Sequence, residues 1–121
     1  MSTLRVNTLQ TQAGVEVYTA KAWVNFNGTG TVAIRASGNV SSITDNGTGD
    51  YTVNFTVAMA DANYSVINQF EWGNTAFGAS GRVSTILSLA TSSSRIRTGF
   101  LSSTAVFQAE DVPTVCVGVF R

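Results

Sequence analysis

The chain has 121 residues, seven basic and seven acidic side chains, no histidine and a single cysteine. That length suits one domain with a core large enough to need neither metal nor disulfide. Balanced charge leaves no basic stripe to neutralise phosphates, the missing histidine removes the histidine triads and the common zinc sites, and one cysteine forbids an intrachain disulfide.

Residues 1–14 read as an N-terminal arm for docking or assembly. Leu4 and Val6 share one parity, Leu9 falls on the other, and Gly14 marks a break. No charged start leads into an apolar core, so the arm does not read as a secretory signal. Residues 15–121 read as a single β domain. "VEVYTAKAWVNF" sets Ala22, Val24 and Phe26 on one face, with Trp23 and Asn25 on the other. "TVAIR" puts Val32 and Ile34 together. "YTVNFTV" aligns Tyr51, Val53, Phe55 and Val57 against Thr52, Asn54 and Thr56. Ala58 to Asn63 carries at most one helical turn. "YSVINQFEW", "STILSLAT", "SRIRTGFL", "TAVFQA" and "TVCVGVFR" continue the β pattern less regularly. Turn formers recur about every ten residues, which argues for an antiparallel sandwich or barrel, and of the two an all-β antiparallel sandwich, jelly-roll-like, is the expectation. Only 12% of the residues are charged, roughly half the usual share, and Ser, Thr, Asn and Gly supply the polarity.

The words Asn-Gly-Thr-Gly occur twice, at Asn27–Gly30 and Asn46–Gly49. Val-Asn-Phe precedes the first copy and follows the second, so this is not a tandem repeat. Asn-Gly is a strong hairpin signal because a type I′ turn needs positive φ at both central residues. The glycine two residues further on predicts a slightly longer loop with a bulge. Asp45 and Asp50 flank the second copy without the alternating oxygen ligands of a calcium loop, so Asp45 is expected to accept turn N–H bonds instead.

No motif assembles a nucleophile with a base. Lys21 is the only lysine, and Cys116, between Val115 and Val117, reads as a sheet residue. The chain therefore reads as non-enzymatic, with no metal and no cofactor. "NQFEWGNTAFG" gathers aromatics and amides of the kind used on carbohydrate-binding or protein-binding surfaces. Trp72 and Asn74 are its candidates for receptor binding. Arg95 and Arg97 share one strand face and are candidates for anionic groups. Trp23 faces away from its strand's apolar row, which suits a contact with a neighbouring subunit or with the arm.

The run from Lys21 to Val66, "KAWVNFNGTGTVAIRASGNVSSITDNGTGDYTVNFTVAMADANYSV", resembles a segment of tail-fibre and other virion-associated proteins of tailed bacteriophages, those of cyanobacteria included. "STLRVNTLQTQAG" looks like the short N-terminal or repeat-junction motif of such fibres. The resemblance implies a virion structural protein, commonly a homotrimer. It implies a tail-fibre or fibre-tip subunit that binds host surface polysaccharide non-covalently, or alternatively a capsid or tail decoration protein. The arm, through Leu4, Val6 and Leu9, would then dock to other virion proteins. Neither nucleic acid nor membrane insertion is expected.

Overall fold

The structure, a computed structural model, describes residues 3, 8–15, 18–71 and 82–121. These form nine strands and no helix: β1 (Ala20–Asn27), β2 (Ala33–Gly38), β3 (Val40–Gly47), β4 (Asp50–Phe55), β5 (Ser65–Glu71), β6 (Arg82–Ala90), β7 (Ser93–Leu101), β8 (Phe107–Ala109) and β9 (Thr114–Phe120). All pairings are antiparallel. One sheet runs β2-β1-β9-β5, the other β3-β4-β7-β6, and β8 extends the second by pairing with β7. The expected sandwich is what forms.

Strict alternation explains the core. Ala22, Val24 and Phe26 of β1 and Val115, Val117 and Val119 of β9 face Tyr51, Val53 and Phe55 of β4 and Ile96 of β7, all buried. Each fully buried aliphatic side chain contributes roughly 1.5–3 kcal/mol. An edge-to-face aromatic pair sits near each end of this core. Phe26 meets Tyr51 at 5.2 Å between centroids, and Phe55 meets Tyr64 at 5.8 Å.

The register gives the sandwich two distinct ends. Ala20 pairs with Phe120 and Phe120 with Ser65, so the start of β1, the end of β9 and the start of β5 lie together. Asn39 and the β6–β7 turn are at that same end, where Met59 N–H donates to Thr91 O at 2.8 Å. The opposite end gathers both Asn-Gly-Thr-Gly segments, the β7–β8 turn and the approach to β9. β5 ends at Glu71 and β6 begins at Arg82 there as well.

Several readings change. The first strand begins at Ala20 rather than near Val15, and Val15 and Tyr18 are exposed. β4 ends at Phe55, so Val57 leaves the apolar row and is exposed. Residues 58–63 form no helical turn. Both hairpins exist, but neither closes on its Asn-Gly pair. β1 and β2 pair last at Asn27 and Ala33, a five-residue connection. β3 and β4 close at Gly47 and Asp50 around Thr48–Gly49, after the expected bulge beyond Asp45. Positive φ falls on Gly30, Gly47 and Gly49, and on no asparagine of either copy.

Candidate functional site

Three surfaces carry the polar or aromatic groups singled out above. The first is the end that holds both repeated turns. Asn27 Oδ1 accepts from Thr29 N–H at 3.0 Å and from its hydroxyl at 2.7 Å. Asp45 Oδ1 accepts from Gly47 N–H at 3.0 Å, the turn bond expected of it. One glycine of each copy is packed and the other is open. Gly28 N–H donates to Val112 O at 3.0 Å, and Gly49 N–H donates to Asp111 Oδ1 at 2.8 Å. Tyr51 joins the two by donating to Gly28 O at 2.8 Å, with Asp111 Oδ1 at 3.1 Å. Burial, with the Asp111 charge beside it, pushes the Tyr51 phenol well above its ordinary range. The repeated words therefore grip residues 111–112 from two sides. This cluster bonds internally and is a structural lock.

The second surface is the outer face of β3, β4 and β7. Asn54 Nδ2 donates to Ser42 Oγ at 3.1 Å and Thr44 Oγ1 at 2.9 Å, and Asn46 Nδ2 donates to Thr52 Oγ1 at 2.8 Å. Arg95 and Arg97 do share this face. Arg95 makes a two-point bond to Asp50, Nε to Oδ1 at 2.8 Å and Nη2 to Oδ2 at 2.7 Å. That bond holds the Asp50 carboxyl below the usual carboxylate range, against the opposing effect of burial. The Arg97 guanidinium lies 4.9 Å from the Phe107 ring centroid. An anion would meet one arginine already committed to a carboxylate and another laid over a ring.

The third surface is the outer face of the four-stranded sheet. The register sets Trp23 of β1 between Gly38 of β2 and Gly118 of β9, with Ile67 of β5 beyond Gly118. The next row holds Asn25, Cys116 and Gln69. Gly38 leaves room for the indole to lie over β2, and Gly118 leaves room for the Phe120 ring. A Cβ at Gly38 would collide with the indole, and one at Gly118 would come within 3.1 Å of the Phe120 ring. The result is a shallow groove of about 440 Å³ rimmed by Trp23, Ile67 and Phe120. Those three are 45%, 61% and 41% exposed, so the groove is open to ligand. No charged side chain lines it.

Trp23 points outward as its parity predicts. Leu9 is exposed. Leu4, Val6, Trp72 and Asn74 lie outside the described residues. Sequence reasoning set Asn25 on the face of Trp23 but missed Ile67, Gln69 and Phe120 as their companions. One signal was present: "TVCVGVF" carries no polar side chain between its two ends on either face, where a sheet open to water normally alternates. Among the described residues no cluster of three metal-ligating side chains occurs. No protein-family model, curated protein or solved structure matches the chain.

Proposed function

We propose that this chain is a structural protein of tailed-bacteriophage virions, a tail-fibre or fibre-tip subunit. In this reading it assembles as a homotrimer and binds host surface glycan without covalent chemistry. The resemblance of Lys21–Val66 to virion-associated domains motivates the reading. The observation that carries it is the separation of the two ends. The chain enters β1 and leaves β9 at one end, beside the β6–β7 turn, while the β1–β2, β3–β4 and β7–β8 turns gather at the other. A module tethered through the segment before Ala20 would hold those three turns and the length of both sheet faces away from the particle. Arg95 and Arg97 contribute less to glycan contact than their placement in the sequence suggests, because Arg95 is paired with Asp50.

Immunogold labelling of purified virions tests the proposal, together with competition of phage adsorption by the free protein. Label at the distal tail and slower adsorption are the expected results. Label spread over the head, with adsorption unchanged, would replace this reading with the decoration protein.

A further inference from the structure

We infer that the groove on the outer face of the β2-β1-β9-β5 sheet is a binding site for a neutral pyranose. Trp23 is its stacking platform, and Asn25 and Gln69 are its hydroxyl partners. The inference rests on the attachment reading for its biological setting, but its chemistry is argued from the groove alone.

A pyranose in its chair form is amphipathic. Axial C–H bonds make one face apolar, and hydroxyls ring the rim. Its complement is a flat aromatic surface with amide groups at the edge, because amides both donate and accept. Trp23 supplies the surface, its indole laid over Gly38 of β2, where no side chain stands in its way. Gly118 forms the floor between Trp23 and Ile67, and Phe120 closes one end. The Gln69 side chain makes no hydrogen bond to a described residue. Asn25 uses only its Oδ1, accepting from Arg35 Nη1 at 3.2 Å, so its Nδ2 donors are available. No charged side chain lines the groove, and the neighbouring Arg35 guanidinium is held by Asn25 Oδ1, Thr114 Oγ1 and Pro113 O, which disfavours sialic acids and uronic acids, whose carboxylate needs a free cationic partner.

Size discriminates between this ligand and a second copy of the chain. Trp23 and Phe120, each a little under half exposed, leave on the order of 200 Å² of aromatic surface. A stable protein interface buries roughly 800 Å² on each partner. A small ligand needs far less, and the volume of about 440 Å³ falls within the range of roughly 300–1,000 Å³ typical of small-molecule sites. The other sheet shows what an ordinary solvated face of this protein is like. Over β3 and β4 its outer residues include Ser42, Thr44, Thr52 and Asn54, with Asn54 bonded to Ser42 and Thr44 and Thr52 bonded to Asn46.

The test is saturation-transfer NMR on the full chain, with neutral methyl hexopyranosides and N-acetylneuraminic acid as probes, alongside sedimentation. At least one neutral hexopyranoside should receive saturation on its axial C–H protons, and the acid should receive none. Trp23→Ala should weaken binding roughly tenfold or more, as for an aromatic anchor. Gly118→Val, which fills the floor but keeps the indole, should abolish binding with little change in the unfolding midpoint. Leu87→Ser, at an exposed apolar position of the other sheet, should bind as the parent does. Binding that survives both Trp23→Ala and Gly118→Val overturns the inference. So does preference for the acid, failure of every neutral probe, or a fall in sedimenting mass with Trp23→Ala, which would make the face a subunit contact. Virion position and adsorption are read separately. A protein at the tail tip that binds no neutral sugar sinks this site and leaves the attachment reading standing. A head protein that binds sugar at Trp23 does the reverse.

Discussion

Asn39 sits where the chain passes from the four-stranded sheet to the other, with φ of 54°. An L residue pays roughly 1–2 kcal/mol there, and asparagine is among the few types that tolerate it. Its side chain contributes in return. Nδ2 donates to Lys21 O at 3.0 Å and Val57 O at 3.1 Å, while Oδ1 accepts from Val57 N–H at 2.7 Å. One residue thus ties the start of β1, the corner and the loop after β4. Asn39→Ala should lower unfolding free energy by roughly 2–3 kcal/mol, combining backbone strain with lost hydrogen bonds. Asn39→Gly restores the backbone freedom and should recover roughly 1 kcal/mol of that. Urea unfolding measures both, and equal losses would show that the dihedral contributes nothing. In the sequence Asn39 stands out only as a turn former in "ASGN". Its three side-chain bonds run to two residues, Lys21 and Val57, each 18 positions away, which no local pattern reports. Trp23 was legible as outward-facing from parity alone. The groove beside it was not, because the glycines that make room for it are set by cross-strand register.

At the scale of elements, the strands with strict alternation were the legible ones. β1 and β4 bury the residues their parity assigns, because one face of each packs on the core. Turn geometry was harder to read, since the same four letters close two hairpins differently. Gly30 and Gly49 make the point. Their φ values are 58° and 60°, so alanine meets the same dihedral penalty at each. Their surroundings differ. Nothing lies within 4 Å of a Cβ built at Gly30, whereas one at Gly49 would overlap Thr98 O and the Glu110 backbone. Gly30→Ala should therefore cost about 1–2 kcal/mol. Gly49→Ala should cost clearly more, about 3 kcal/mol or above, because it also forces β4 away from β7 and the Asp111 lock. Equal thermal shifts for the two would mean that the packed glycine has slack that its contacts do not suggest.

For the whole molecule, the missing histidine and the placement of the ionisable groups together set the pH range of stability. Asp50 and Asp61 are both held below the ordinary carboxyl range, first by their hydrogen bonds to Arg95 and Arg121. Near pH 4 the unfolded chain then binds more protons than the folded one, so stability rises with pH through that region and is lost as pH falls below it. Both pairs are partly exposed, and exposed pairs contribute little individually, so the acid limb should be shallow and weaken further in salt. The alkaline limb has the opposite cause. Burial raises Tyr51 and Tyr64 above their ordinary value of 10.0. Above about pH 10 the unfolded phenols release protons that the folded ones retain, and stability falls as pH rises. Between about pH 5 and 7 no histidine is present to titrate, so the unfolding midpoint should be nearly flat. Midpoints measured from pH 3 to 11 should trace a plateau with a shallow acid shoulder and a steeper alkaline fall. Tyr51→Phe separates the limbs. It removes the hydroxyl that bridges Gly28 and Asp111 and should lower the plateau by roughly 1–3 kcal/mol. It should also flatten the alkaline fall and leave the acid shoulder in place. If that variant keeps the parent's alkaline limb, the fall comes from another group and the buried phenol does not link stability to pH.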